Sequence, residues 1–149
     1  MAPLSLDEHL CFALYSASRA MTAAYRPLLT ELGITYPQYL VLLVLGEEGD
    51  ISVGRLGERL QLDSGTLSPL LKRMEAGGIV RRQRSETDER QVEVALTTEG
   101  KRLRRKAHCI PEKLFPLTGL TPEQAIDLRA DIVRLTEALI DSQEGNPHG

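Results

Sequence analysis

Apolar residues recur at helical spacing through most of the chain and alternate in one short stretch. Leu10, Leu14, Ala17, Met21, Leu28 and Leu32 lie four, three, four, seven and four residues apart, which predicts an amphipathic helix running to about Leu32. Ser5-Leu6-Asp7-Glu8 has the form of a capping box, setting the start of that helix near Leu6. Pro27 should interrupt and kink it, because the ring clashes with the preceding turn, and Gly33 closes it. Pro37 suits the first turn of a second helix, where its missing N–H costs nothing. In residues 38–47 Leu40, Val41, Leu43, Val44 and Leu45 make that helix apolar nearly all round, the pattern of a buried central element. Gly49-Asp50 ends it, and Ile51-Ser52 can pair as a minimal strand.

The middle of the chain changes period twice. Val53, Leu56 and Leu60 line one face of a short helix over residues 53–60. Gln61-Leu62-Asp63 turns the chain, Asp63 or Ser64 caps the next helix over 64–77, and Leu67, Leu70, Leu71 and Met74 face inward there until Gly77-Gly78 stops it. Residues 79–84 and 91–96 then alternate, with Val92, Val94 and Leu96 expected on one side and Glu93 and Ala95 on the other. The tip between them, Ser85 to Arg90, is polar and charged. Helix, tight turn, helix and β-ribbon in that order predict a winged helix-turn-helix: a mainly α fold with a small β-hairpin.

Thr97 caps a long helix with basic first turns, which contains Cys109 and which Pro111 and Pro116 interrupt or end. Thr121-Pro122-Glu123-Gln124 is a further capping box. The last helix carries Ile126, Leu128, Ile132, Leu135 and Leu139, and the tail from Gly145 reads as disordered. The whole chain, 1–149, is thus expected to be a single winged-helix protein. Residues 36–109 form the DNA-binding core, including the start of the long helix. Residues 1–35 and 110–144 are dimerisation helices, and 145–149 are a tail. One central helix cannot cover the apolar stripes of both outer arms, so a second copy across a twofold axis is expected to do so. A homodimer presents two reading heads, which suits double-stranded DNA with a palindromic operator.

Net charge is −3, which by itself argues against a nucleic-acid binder. The distribution argues the other way. Between Arg81 and Lys106 nine basic residues stand against five acidic ones, a local footprint of the kind phosphate binding needs. In the second helix of the pair Ser64, Gly65, Thr66, Ser68, Lys72 and Arg73 are left facing solvent. Small hydroxyl residues let a helix start approach base edges and phosphates, and the two cations suit a phosphate or a guanine edge. In the wing, Arg84 adds charge, Asp88 can pair with a neighbouring arginine and brace the loop, and Arg90 can reach a minor groove. No apolar stretch approaches the ~20 residues of a membrane span, and no signal peptide is evident. Two distant cysteines then fit free thiols in a reducing cytoplasm. The histidines and cysteines lack metal-site spacing, and no metal or cofactor is called for.

Asp88-Glu89-Arg90 followed by Val94-Ala95-Leu96-Thr97-Thr98-Glu99-Gly100 resembles the wing and D-x-R…L-T-x-x-G signature of the multiple-antibiotic-resistance regulator (MarR) family, over roughly residues 6–142. The resemblance implies a winged-helix dimer that represses transcription and leaves DNA when a ligand or oxidant is sensed, with Arg90 in the minor groove and Asp88 as its brace. Residues 10–20, from Leu10-Cys11-Phe12 through Tyr15, then Tyr25-Arg26-Pro27-Leu28-Leu29 and Thr35-Tyr36-Pro37-Gln38-Tyr39-Leu40, resemble the organic hydroperoxide resistance regulators, a branch of that family. That implies Cys11 as the peroxidatic thiol and Tyr15 and Tyr25 as its hydrogen-bond partners. Some of these regulators carry a second, late thiol that resolves the sulfenic acid as an inter-subunit disulfide, and Cys109 lies in a suitable region.

The chemistry fits the residues. A thiolate attacks the peroxide O–O bond and becomes a sulfenic acid, and tyrosine hydroxyls stabilise the thiolate by donating to it. Leu10, Phe12 and Leu14 supply apolar surroundings that suit an organic peroxide. With a start near Leu6, Cys11 lies beyond the first turn and gains little from the helix dipole. Fourteen residues on one helix separate Cys11 from Tyr25 by roughly 21 Å, so Tyr25 must come from the other copy. Tyr36 and Tyr39 read as core and interface residues. The sequence therefore predicts a cytoplasmic, homodimeric, redox-sensing repressor and not an enzyme. One alternative is a regulator answering a small phenolic ligand with an inert cysteine. Another is a thiol peroxidase, which no redox-enzyme fold or C-x-x-C supports.

Overall fold

The computed structural model describes residues 3–145. It divides into two compact units, residues 1–110 and 111–149. The first helix of the first unit belongs to that unit along with the winged helix.

Among the described residues seven α-helices and three strands are formed: α1 (Leu10–Leu32), α2 (Tyr36–Glu48), β1 (Ile51–Ser52), α3 (Val53–Leu60), α4 (Ser64–Ala76), β2 (Val80–Arg84), β3 (Val92–Leu96), α5 (Thr98–Ala107), α6 (Ile110–Leu114) and α7 (Pro122–Glu144). The strands make one antiparallel sheet in the order β1-β3-β2. Ile51 pairs with Val94, Val80 with Leu96 and Arg84 with Val92. The mainly helical fold with a small hairpin follows the sequence expectation.

The core centres on α2. Tyr39, Val41, Leu42, Val44 and Leu45 are buried, and α1, α3, α4, α5 and β3 all pack around this one helix. A helix with neighbours on every side has no polar face to keep, which is why its pattern is apolar all round. Leu56 of α3, the four inward residues of α4, and Val80, Val94 and Leu96 of the sheet complete the cluster. Thr35 caps α2 with a full capping box to Gln38, and Asp63 caps α4 by accepting from the Thr66 N–H at 2.7 Å.

Several expectations are corrected. The capping box of Ser5 and Glu8 closes its own 3-10 turn, Leu6–Glu8; His9 is then extended and α1 starts at Leu10. Cys11 is therefore the second residue of the helix and lies inside its first turn. Helix α1 ends at Leu32 as the apolar spacing predicts, and it is one continuous helix with Pro27 inside it. Ala95 is buried and Val92 exposed, the reverse of simple alternation. The base of β3 is packed by α2, α3 and α5 as well as paired on both edges, while its start runs out toward the wing tip. Helix α5 ends at Ala107, so Cys109 sits in the break before α6 and not within a long helix. Pro111 has no N–H for the Ala107 carbonyl, and its ring crowds that carbonyl, so the α5 ladder cannot continue through it.

In the second unit Thr121 and Gln124 form the expected capping box. Ile126, Leu128, Ile132, Val133, Leu139 and Ile140 of α7 are exposed. Residues 146–149 of the expected tail lie outside the described residues. Among the described residues no single helix is long and apolar enough to cross a membrane. α1 and α2 together have that length and composition but are bent by 75°, and α2 is the core helix of this unit.

Candidate nucleic-acid interface and thiol site

The wing is rooted by the run Leu96-Thr97-Thr98-Glu99-Gly100. The Thr97 hydroxyl caps α5 by accepting from the Gly100 N–H at 3.0 Å, and it donates toward the carbonyls of Gly78 (2.5 Å) and Ile79 (3.0 Å). The Thr97 N–H also donates to the Ile79 carbonyl, at 3.1 Å. Gly100 passes so close to the same carbonyl that a Cβ there would stand 2.2 Å from the Ile79 oxygen. Threonine and glycine at this spacing join the start of β2 to the start of α5.

The wing tip is closed by its own hydrogen bonds. Ser85 N–H donates to the Gln91 carbonyl at 2.8 Å, and Gln91 N–H to the Asp88 carbonyl at 3.0 Å. Ser85 is buried, and its hydroxyl meets that of Thr87 at 3.0 Å. Asp88 does brace Arg90, but through the backbone: its carboxylate accepts the Arg90 N–H at 3.0 Å, and no ion pair joins the two side chains among the described residues. The Arg90 guanidinium is thereby left exposed to reach outward. Arg84 is exposed and donates from Nη1 to the Glu89 carbonyl at 3.3 Å, across the wing tip.

Ser64, Gly65, Thr66, Ser68, Lys72 and Arg73 are all on the exposed side of α4, opposite Leu67, Leu70, Leu71 and Met74. Between the start of α3, α4 and the wing lies an open hollow of about 410 Å³ lined by Ser64, Ser68, Arg82 and Arg90 among others. The helix start and the wing arginine, read separately in the sequence, therefore share one surface. Arg82 was not singled out there; its only sequence signal was membership of the basic run. Ion pairs hold the frame: Glu48 meets Arg55 at 3.0 Å and also Arg59, joining the end of α2 to α3. These arginines hold the Glu48 carboxyl below the usual carboxylate range.

On α1, Cys11 and Tyr15 are exposed one turn apart, and the Arg19 guanidinium stands 5.5 Å from the centre of the Tyr15 ring. The N–H groups of Leu10, Cys11 and Phe12 stand at the helix start, the end that attracts negative charge, while the His9 N–H is taken by the Leu6 carbonyl at 3.2 Å. Tyr25 is not brought to Cys11 within the chain, since both lie on the one continuous helix. It joins Tyr36 and Tyr39 instead, with ring centres 5.0 and 5.7 Å away. Burial raises all three phenols above the ordinary tyrosine value, with Tyr39 pushed up to about 12. Cys109 is exposed, its thiol donating to the Lys106 carbonyl at 3.6 Å. Among the described residues no group of three or more His, Cys, Asp or Glu side chains is placed to hold a metal ion.

A recognition helix beside a closed, basic wing on an α2-centred core defines a winged-helix transcriptional regulator. The comparisons agree. Residues 23–106 match the family model of the SarA/Rot transcriptional regulators. The chain is 50% identical over 137 residues to the HTH-type transcriptional regulator TtmR of Methylorubrum extorquens, covering 92% of this chain and 70% of that one. It is 48% identical over 136 residues to the organic hydroperoxide resistance transcriptional regulator of Bacillus subtilis, covering 91% and 92%. The solved structure of reduced AbfR bound to DNA superposes with a TM-score of 0.73 at 35% identity, over 91% of this chain and 94% of that one. Overoxidized AbfR bound to DNA gives the same TM-score. This chain belongs to the MarR family of transcriptional regulators. Its relatives are DNA-binding regulators, not enzymes.

Proposed function

We propose that this protein is a homodimeric repressor, acting in the cytoplasm on a palindromic operator, that senses organic hydroperoxides through Cys11. The observation that supports this most directly is the split of α1. Its C-terminal half enters the core at Leu29, while its N-terminal half leaves Leu10, Cys11, Phe12 and Tyr15 exposed. An apolar, thiol-bearing surface of this kind is half of a site. A second α1 crossing it antiparallel would cover the apolar side chains and bring the partner's Tyr25 toward Cys11. The names of the relatives point the same way: one is an organic hydroperoxide regulator, and another was solved on DNA in reduced and overoxidized forms.

The Cys11 thiolate attacks one peroxide oxygen of ROOH. The O–O bond breaks, sulfur is oxidised to the sulfenic acid, and the alkoxide leaves as ROH after taking a proton. Where Cys109 of the other copy reaches it, its thiol displaces water from the sulfenic acid and a disulfide forms. Ser64, Gly65, Thr66, Ser68, Lys72, Arg73 and Arg84, with Arg90 held out by Asp88, are the DNA-facing residues of the reduced form.

Release of the operator by stoichiometric cumene hydroperoxide, followed by anisotropy and by mass spectrometry of Cys11, tests this. Wild type should leave DNA with Cys11 oxidised, and Cys11→Ser should stay bound. A Cys11→Ser protein that still leaves DNA overturns the reading and favours a small phenolic effector. Non-reducing electrophoresis of wild type and Cys109→Ser separates a two-thiol from a one-thiol mechanism.

A further inference from the structure

The hollow beside the wing contains a cation most of whose guanidinium donors are unused among the described residues. Arg82 of β2 lines it together with Ser64, Ser68 and Arg90. The Arg82 backbone N–H (2.9 Å) and Nη2 (3.2 Å) both donate to the carboxylate of Glu75 on α4. One acid thus fixes the strand and the side chain together, and Arg82 holds the Glu75 carboxyl below the usual range. The rest of the guanidinium is unspent. Nε is buried with no hydrogen-bond partner, and Nη1 has none among the described residues. A guanidinium offers five N–H donors, and a buried donor without an acceptor is unfavourable.

The surroundings fit an anion. The Ser64 and Ser68 hydroxyls line the same hollow, and no carboxylate lines it. Gly54 forms part of its wall, where an added Cβ would meet only the Ser52 hydroxyl at 3.9 Å, so the backbone there is open to a close approach. We propose that Arg82 is a phosphate-binding residue and that this hollow seats one backbone phosphate of the duplex, with Ser64 and Ser68 as further donors. Glu75 holds the guanidinium ready and shares it with the phosphate. The inference rests on the reading of this chain as a duplex-DNA binder and adds a contact to it.

The salt dependence of binding separates a phosphate contact from a wing brace. Full-length protein is titrated onto random-sequence duplex DNA by fluorescence anisotropy over a series of KCl concentrations. Each phosphate contact adds about 0.9 to the slope of log K against log salt, so Arg82→Gln should lower the slope by about 2 for a dimer. Between about 50 and about 200 mM salt, wild type should then lose about tenfold more affinity than the variant. Arg82→Lys keeps the charge and should keep the slope, whatever it costs in stability. Glu75→Gln keeps an acceptor for Arg82 and should leave the slope no shallower. An Arg82→Gln protein that binds more weakly with an unchanged slope overturns the proposal and leaves Arg82 as a strut for the wing. Wild type without any salt-dependent binding to duplex DNA overturns the DNA reading itself.

Discussion

Replacing Gly100 by alanine tests the argument about the root of the wing. The added methyl would stand 2.2 Å from the Ile79 carbonyl oxygen and 3.1 Å from Leu96 Cδ2. The first contact is more than 1 Å inside the ordinary carbon–oxygen separation, and the obstacle is backbone, which cannot rotate aside. Forcing an extra methyl into packed surroundings costs about 1–3 kcal/mol. Moving α5 away to relieve it also stretches the Thr97 hydrogen bonds to Ile79, each worth about 1 kcal/mol. Alanine gains about 1 kcal/mol over glycine in helix propensity, which offsets part of this. The net expectation is a loss of about 2 kcal/mol, or a Tm lower by roughly 4–8 °C for a chain of this length. Gly54→Ala is the control. It makes the same change at a helical glycine with open space around it, and should leave stability equal or raise it by up to about 1 kcal/mol. Urea denaturation at one fixed protomer concentration measures both, since the proposed dimerisation would make Tm concentration-dependent. A Gly100→Ala protein as stable as Gly54→Ala would refute the close-approach reasoning.

Two further outcomes follow from the site. Asp88→Asn keeps an oxygen that can accept the Arg90 N–H, so the wing tip should hold and operator affinity should fall far less than in Asp88→Ala, which opens the tip; equal losses in a binding titration would show that the carboxylate charge, not the turn, is what matters. The phenols should ionise late. Because burial raises the folded-state values of Tyr25, Tyr36 and Tyr39, the stability linked to them is fully present below the ordinary tyrosine value of 10 and is lost as pH rises toward about 12; an ultraviolet titration in which all four tyrosines ionise together near the ordinary value would contradict the buried cluster.

How much of this was legible in the sequence depended on whether the deciding interaction was local. Leu67, Leu70, Leu71 and Met74 share one helical face, and all four are buried as the period demanded. Asp63 and Thr121 cap the helices that follow them because a cap reaches only three residues ahead. The start of α1 departs from the expectation for a related reason. Ser5 and Glu8 satisfy each other within a single turn, and nothing in that motif says whether the next residue continues the helix; His9 does not, and its Nδ1 contacts the Ser5 carbonyl at 2.7 Å. Ala95 departs from alternation because alternation describes one strand, whereas burial is set by the helices packed on β3, in a sheet that pairs residues up to 43 apart in sequence. Nothing in the sequence sets Arg82 apart from the neighbouring arginines, since only the fold brings Glu75 and the hollow to it.

The same division bears on how a signal at Cys11 could reach DNA. Cys11 lies on a different helix from the residues proposed to face DNA, yet α1 links its exposed thiol end to the buried Leu29 and to Tyr25, which packs on Tyr36 and Tyr39 of α2. α2 in turn packs on α3, α4, α5 and β3, which carry or root the recognition helix and the wing. Because a packed core shifts between discrete arrangements rather than deforming smoothly, a change of pairing at the start of α1 has one continuous solid path to both reading elements, through α2. On the proposed reading, then, Tyr25 has two duties: its hydroxyl serves the partner's thiol, while its ring packs on the helix that sets the position of the DNA-binding face. A Tyr25→Phe protein separates them. Keeping the ring should preserve operator affinity in the reduced protein, while losing the hydroxyl should slow oxidation of Cys11. A loss of reduced-state affinity with an unchanged oxidation rate would place Tyr25 in the core alone.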